Sequence, residues 1–336
     1  MVSEVGCGDY FNNQIKVTVV IPLYNGEKYI VRSLDSVLRQ TQVPQEIFVV
    51  NDGSTDAGVQ LVKSTFGNKV KLLEQRNRGV SAARNAGIKA SSGDWIAFLD
   101  ADDVWLPNHL EELSRQVALF THAAMVATKS VQLGVNEAPP EVSPPGRVQE
   151  IDYLVEASKR LSVVNSSCVA IRKDVFNSIG DFKSYRYGED LEMWARVALH
   201  YPVAVSDCVT SIYYRGTGGA IDRLQKQKGK KRAVVSIQDL SPAIKMLFDE
   251  GRENDKSSQI YIRSILKMMV KQDIISGDVE RARALLALTG AGYKIKLMLQ
   301  YGLFLPESVI KKMVWVYLNR FHFFKSVRRM MTGRVK

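Results

Sequence analysis

Residues 94–105, DWIAFLDADDVW, carry an apolar run straight into three carboxylates, Asp100, Asp102 and Asp103, with only Ala101 between the first two. A short apolar run that stops at turn-forming residues is the pattern of a strand buried on both faces. Two stretches upstream share it, KVTVVIPLY (16–24) and EIFVVND (46–52). Segments with helical spacing lie between them: GEKYIVRSLDSVLRQT (26–41), with Ile30, Leu34, Val37 and Leu38 on one face, then DAGVQLVKSTF (56–66) and GVSAARNAGIKAS (79–91). This alternation predicts an α/β fold, a Rossmann-like and mostly parallel sheet flanked by helices. Ligands of such sheets bind beyond the carboxyl ends of the strands. Here those ends carry Tyr24 and Asn25, Asp52 to Asp56, and Asp100 to Asp103.

Composition sets the outer limits. A chain of 336 residues, 46% hydrophobic and 24% charged, is globular, with room for about two domains. Cys7, Cys168 and Cys208 form neither a disulfide framework nor a metal-ligand spacing, which suits a reducing compartment. The first residues show no basic-then-apolar leader, and no stretch reaches the roughly 18 apolar residues of a membrane span. The expected location is therefore the cytoplasm, with peripheral contact on the inner face of the membrane as an option. The net charge of +11 is concentrated late: residues 291–336 hold ten Lys and Arg against Glu307 alone. A second basic run, RLQKQKGKKR, occupies 223–232. Charge so placed speaks of a partner surface rather than of the fold.

Four regions are expected: a tail at 1–15, two halves of one catalytic unit at 16–120 and 121–220, and a basic, mostly helical region at 221–336. The second half includes a proline-rich loop, 135–146, whose role the sequence does not reveal.

Two carboxylates one residue apart in a turn can converge on a hard cation, Mn²⁺ or Mg²⁺, whose shell substrate phosphates complete. A solvated acidic turn has the same sequence. In VVNDGSTD, Asp52 can accept a hydrogen bond from the ring N–H of a base, while Ser54, Thr55 and Asp56 can cap the next helix. Arg76, Arg78 and Arg84 surround the start of helix 79–90, where backbone N–H groups favour anions. GEDLEMWARV places Glu189 and Asp190 in the first turn of a helix, where acids are favoured for structural reasons alone.

Taken in order, VTVVIPLYNGEKYI, EIFVVNDGSTD, NRGVSAARNAGIKASSGDWIAFLDADDVW and GED resemble the inverting family 2 glycosyltransferases of GT-A fold, over about residues 16–215. The resemblance implies a nucleotide-diphosphate sugar, usually a UDP-sugar, a divalent metal, and transfer of one sugar with inversion to a hydroxyl of a glycan or lipid-linked acceptor in surface polysaccharide synthesis. By this likeness Pro22, Tyr24, Glu27 and Asp52 shape the nucleotide pocket in the first half, with Arg84 near the nucleotide and Asp100 near the ribose. Asp102 would be the metal ligand and Asp190 the general base, with Glu189 and Arg215 touching diphosphate or acceptor in the second half. Two departures stand out: no QxxRW-type motif occurs, which speaks against processive synthases, and no histidine follows Arg215 in YYRGTGG (213–219). His109, His122, His200 and His322 are read as structural or surface groups.

Transfer to a polyprenyl phosphate is the competing enzymatic reading, with less need of Asp190 because a phosphate requires no base. A catalytically silent nucleotide-binding or membrane scaffold is a third, which the intact Asp52, Asp100, Asp102 and Asp190 oppose. In residues 306–331, Ile310, Met313, Val314, Tyr317, Phe321 and Phe324 form a helical stripe with basic flanks. It suits either an anionic membrane surface or packing on the catalytic unit or a second subunit, as in a homodimer. Nucleic acid is not an expected partner, since no recognition module is present.

Overall fold

The computed structural model describes residues 15–218, 241–276 and 278–287, together with Pro306. The chain divides into two units, residues 1–230 and 231–336.

In the first unit the three expected strands form, as β1 (Val17–Leu23), β2 (Glu46–Asp52) and β4 (Trp95–Phe98). Between them come helices α1 (Ile30–Leu38), α2 (Gly58–Phe66) and α3 (Val80–Ala90). An additional strand, β3 (Lys71–Gln75), follows α2. Its sequence, KLLEQ, lacks the apolar run of its neighbours because it lies at the sheet edge, half-buried or exposed throughout. The chain continues through β5 (Val104–Trp105), α4 (His109–Leu119), β6 (Met125–Gly134), β7 (Val148–Ile151), α5 (Tyr153–Lys159), β8 (Val169–Arg172), α6 (Val175–Ile179), α7 (Glu189–His200) and β9 (Val203–Arg215).

These strands make one sheet in the order β3-β2-β1-β4-β8-β6-β9-β5, with β7 also paired to β9. β3, β2, β1 and β4 are parallel. β8 runs against both β4 and β6, β6 and β9 run together, and β5 and β7 run against β9. Six of the nine strands thus run the same way, as the βαβ units of the first half require, and β5, β7 and β8 run against them. Both faces are covered. Val17, Val19, Ile21 and Leu23 of β1 join Ile30, Leu34 and Val37 of α1, Val62 of α2, and Leu110 and Leu113 of α4 in one cluster. Leu38, expected on the same face, is 39% exposed at the end of α1. On the opposite face Phe98 meets Phe176, Phe182 and Trp194 edge-on or tilted, at centroid distances of 5.4–6.5 Å.

The helix that matters most to the site, α3, lies on this second face. Gly87 gives it close contact with the sheet: a Cβ there would stand 2.4 Å from Cγ1 of Val20. In the second unit the described residues form helices Pro242–Asp249, Lys256–Ser276 and Val279–Ala287, as expected for a helical C-terminal region. Ser241 caps the first of them by accepting the Ile244 N–H at 3.1 Å. No helix among the described residues is long and apolar enough to cross a membrane. The basic run 223–232 lies outside the described residues, as does the stripe from Ile310 to Phe324. Gly87→Ala should lower stability by about 1–3 kcal/mol, the usual scale for forcing extra volume into a packed contact, and urea unfolding of the variant measures it.

Candidate active site

The loops after β1 and β2 are stitched to each other. The Asn25 N–H donates to Ser54 Oγ (3.1 Å), and Asn25 Oδ1 accepts the Thr55 N–H (2.8 Å). The Glu27 N–H donates to Asp56 Oδ2 (2.8 Å), while Glu27 Oε2 accepts the Ala57 N–H (3.0 Å). Glu27 is exposed, and its carboxylate holds this seam. Asp56 also accepts the Gly58 N–H at 3.0 Å, as a capping acid does. Tyr24 is 44% exposed at the mouth of the seam, next to the half-buried Pro22.

Asp52 is buried and fixes the third loop. One oxygen accepts Gln75 Nε2 (2.7 Å) and the Arg78 N–H (2.8 Å); the other accepts the Gly79 N–H (2.8 Å). Its carboxylate thereby orders the backbone leading into α3. Arg76 and Arg78 are exposed, whereas Arg84 is 2% exposed, so the structure separates it from the two it was grouped with.

The three carboxylates of the turn after β4 divide into two kinds. Asp103 is 1% exposed and structural: Ser167 donates to its Oδ2 (2.6 Å) and the Tyr214 N–H to its Oδ1 (3.0 Å). Burial, reinforced by Asp102 and Asp100, pushes its pKa well above the ordinary carboxylate value. Asp100 and Asp102 are only half-buried. Burial and the neighbouring Asp100 raise the pKa of Asp102, against a 2.6 Å hydrogen bond from Thr217. Arg32 donates to the Asp102 carbonyl (2.9 Å) and stacks 3.8 Å from the centre of the Tyr214 ring.

Arg84 links this turn to α7. Its Nη2 donates to Asp100 Oδ1 and to Ser166 Oγ, both at 2.9 Å, and its Nη1 to Glu189 Oε1 at 3.0 Å. Burial opposes the charge, but Asp100, Glu189 and Asp190 outweigh it and hold the guanidinium protonated. α7 starts at Gly188 with a left-handed φ of 76°, a conformation glycine adopts without a Cβ clash. The preceding loop is fixed by a pair of hydrogen bonds between Asn85 and the Phe182 backbone (2.9 and 3.0 Å) and by Arg196 reaching the Asp181 carbonyl (2.8 Å). Glu189 and Asp190 therefore issue from a rigid support. Burial and the adjacent Glu189 raise the Asp190 carboxyl to about 6, against the pull of Arg84.

Asp100, Glu189, Asp190 and Arg84 are thus brought together, with Asp102 on the same turn. The Arg215 guanidinium instead reaches Gln132 on β6. Sequence reasoning passed over Thr217, Arg32 and Gln75. Thr217 lies inside YYRGTGG two residues after Arg215, and Arg32 occupies a helix whose sequence signal is its apolar stripe. His109 is buried, stacks on Trp105 with centroids 4.2 Å apart, and is held neutral by burial, its pKa about 3. His122 pairs with Glu150 at the surface. Among the described residues no three His, Cys, Asp or Glu side chains form a metal cage. Two carboxylates on one turn fit a hard cation whose remaining ligands are water and substrate oxygens.

Residues 18–180 match the family model for glycosyl transferase family 2. The chain is 42% identical over 107 residues to glycosyltransferase GlyA of Streptococcus pneumoniae, covering 31% of this chain and 15% of that one. It is 30% identical over 188 residues to glycosyltransferase RP339 of Rickettsia prowazekii, covering 53% and 57%. The matched stretches span 14–57% of the length of such curated relatives. The fold is similar to that of S. aureus TarS 1–349 in complex with UDP-GlcNAc, with a TM-score of 0.57, 19% identity, and 91% and 92% of the two chains covered. Arg84→Met should cost about 3–5 kcal/mol in urea unfolding, since removing one partner of a buried ion pair leaves carboxylates uncompensated.

Proposed function

Since residues 18–180 match the family model for glycosyl transferase family 2, we propose that the chain is an inverting glycosyltransferase of that family. It moves one sugar from a nucleotide-diphosphate sugar, a UDP-sugar by preference, to a hydroxyl of a glycan or lipid-linked acceptor. The observation that carries this reading is the double reach of Arg84, which joins Asp100 on the carboxylate turn to Glu189 beside Asp190. One fixed cation thereby sets the donor side and the acceptor side in register.

The nucleotide lies along the seam after β1 and β2, against Pro22 and Tyr24, with Asp52 at the base and Asp100 at the ribose. Support for a UDP-sugar comes from the structural relative, which was solved with UDP-GlcNAc and with UDP. Asp102 would hold a Mn²⁺ or Mg²⁺ ion, which when bound would supply charge neutralisation for the departing diphosphate. Asp190 takes the proton of the acceptor hydroxyl as its oxygen bonds to the anomeric carbon. The bond from that carbon to the diphosphate oxygen breaks, and its electron pair leaves with the nucleotide. Attack from the face opposite the leaving group inverts the anomeric centre, the geometry inverting hydrolases also use. A pKa near the working pH suits Asp190 to general base catalysis, because enough of it is ionised to accept a proton and it remains basic enough to hold one. A surface polysaccharide is the destination this reading assigns to the product. The basic C-terminal region would meet an anionic membrane or a second subunit.

Calorimetry with UDP and Mn²⁺ tests the donor site. Wild type should bind only with both present, and Asp102→Asn should lose the metal-dependent part; nucleotide binding by neither protein would contradict the proposal. Asp190→Asn should cut transfer to a hydroxyl by about 10²–10⁴-fold, the range of general base catalysis, with UDP affinity nearly intact. Since the base must be ionised, kcat/KM should fall as pH drops through about 6, and the variant should lack that limb.

A further inference from the structure

Beneath the carboxylate turn lies a residue that none of these roles uses. Ser167 belongs to a short 3-10 turn, Ser166–Cys168, immediately before β8, and is 1% exposed. Its hydroxyl accepts the Asp100 N–H (3.1 Å) and donates to Asp103 Oδ2 (2.6 Å). Its carbonyl oxygen accepts Trp105 Nε1 (2.6 Å) and Ser211 Oγ (2.7 Å). A single buried residue therefore bonds to both ends of the Asp100–Asp103 turn, to β5 and to β9. Its neighbour Ser166 meets Arg84 Nη2, the nitrogen that also reaches Asp100.

We propose that Ser167 is a positioning residue of the donor site: its hydroxyl fixes the Asp100–Asp103 turn so that the Asp100 and Asp102 carboxylates face the bound nucleotide and cation. The proposal rests on the transferase reading above. Only a group that accepts and donates at one point can serve the Asp100 N–H and the Asp103 carboxylate together, and a hydroxyl does both. Without it, the half-buried Asp100 N–H and the buried Asp103 carboxylate lose a partner each, a cost the turn can relieve by moving. Ser211 provides the comparison. Its hydroxyl bonds to the Ser167 carbonyl, so its loss removes a buried hydrogen bond from the same node without touching the turn's carboxylates.

The test measures UDP–Mn²⁺ affinity by calorimetry, well below the unfolding midpoint, for wild type, Ser167→Ala, Ser167→Cys and Ser211→Ala, with donor KM and kcat alongside. Ser167→Cys keeps the shape of the side chain, though with a larger atom, and a weak donor and acceptor, so it reports even if Ser167→Ala fails to fold. Both Ser167 variants should bind about tenfold more weakly, the scale of one hydrogen bond to a charged group, with donor KM rising more than kcat falls. Ser211→Ala should lower the unfolding midpoint and leave affinity unchanged. Folded Ser167 variants that bind as wild type does, or an equal loss in Ser211→Ala, would overturn the positioning role alone. A wild type that binds no nucleotide would overturn the transferase reading and this role with it.

Discussion

A guanidinium sealed from water must be paired, because an unpaired buried charge costs more than a domain can spare. Arg84 meets this requirement with two carboxylates from distant parts of the chain, Asp100 at the end of β4 and Glu189 at the start of α7. Much of the surrounding structure serves that contact. Gly87 lets α3 lie close enough to β1 to deliver the arginine. Asn85, one residue after Arg84, binds the loop that leads to Glu189. Asp52, at the end of β2, sets the backbone from which α3 starts. The packing of the second sheet face and the polar site are therefore solutions to one constraint.

The same economy explains why a basic protein gathers three acids in one turn. Asp103 is buried among hydrogen-bond donors and keeps the turn in shape. Asp100 is paired with Arg84, and Asp102 receives a hydroxyl from Thr217 and lies over the Arg32 contact. Burial, reinforced by their mutual repulsion, raises the proton affinity of Asp102 and Asp103, and a cation brought in with diphosphate would offset the repulsion. The acid pair at Glu189 and Asp190 obeys similar physics: the one nearer Arg84 is bonded to it, and the other has its proton affinity raised by burial and by its neighbour.

What the sequence discloses follows from how local each signal is. β1, β2 and β4 are buried on both faces and read as unbroken apolar runs, and the helices between them show an apolar stripe. β3 escapes notice because an edge strand needs no such run, and Leu38 is misplaced because it lies at the margin of a stripe whose centre, Ile30, Leu34 and Val37, stays buried. The separations of the site are harder to see. Arg84 and Glu189 stand far apart in sequence, as do Asp102 and Thr217, and no periodicity connects them. The motif resemblance could nominate Asp100, Asp102 and Asp190, yet it gave no hint that Glu27 and Asp52 are engaged by backbone N–H groups of neighbouring loops, or that Arg215 turns toward Gln132. The apolar stripe from Ile310 to Phe324 lies outside the described residues.

Whether the carboxylate turn beside Arg84 receives a metal–nucleotide diphosphate is best decided by paramagnetic broadening in an isotope-labelled sample of the whole chain titrated with Mn²⁺ and UDP. Amide signals from Asp100 to Asp103 and from Thr217 should be lost selectively and only with UDP present, with shifts but no loss near Asp52. Broadening centred elsewhere, or none at saturating UDP, would refute the placement of the donor at this turn.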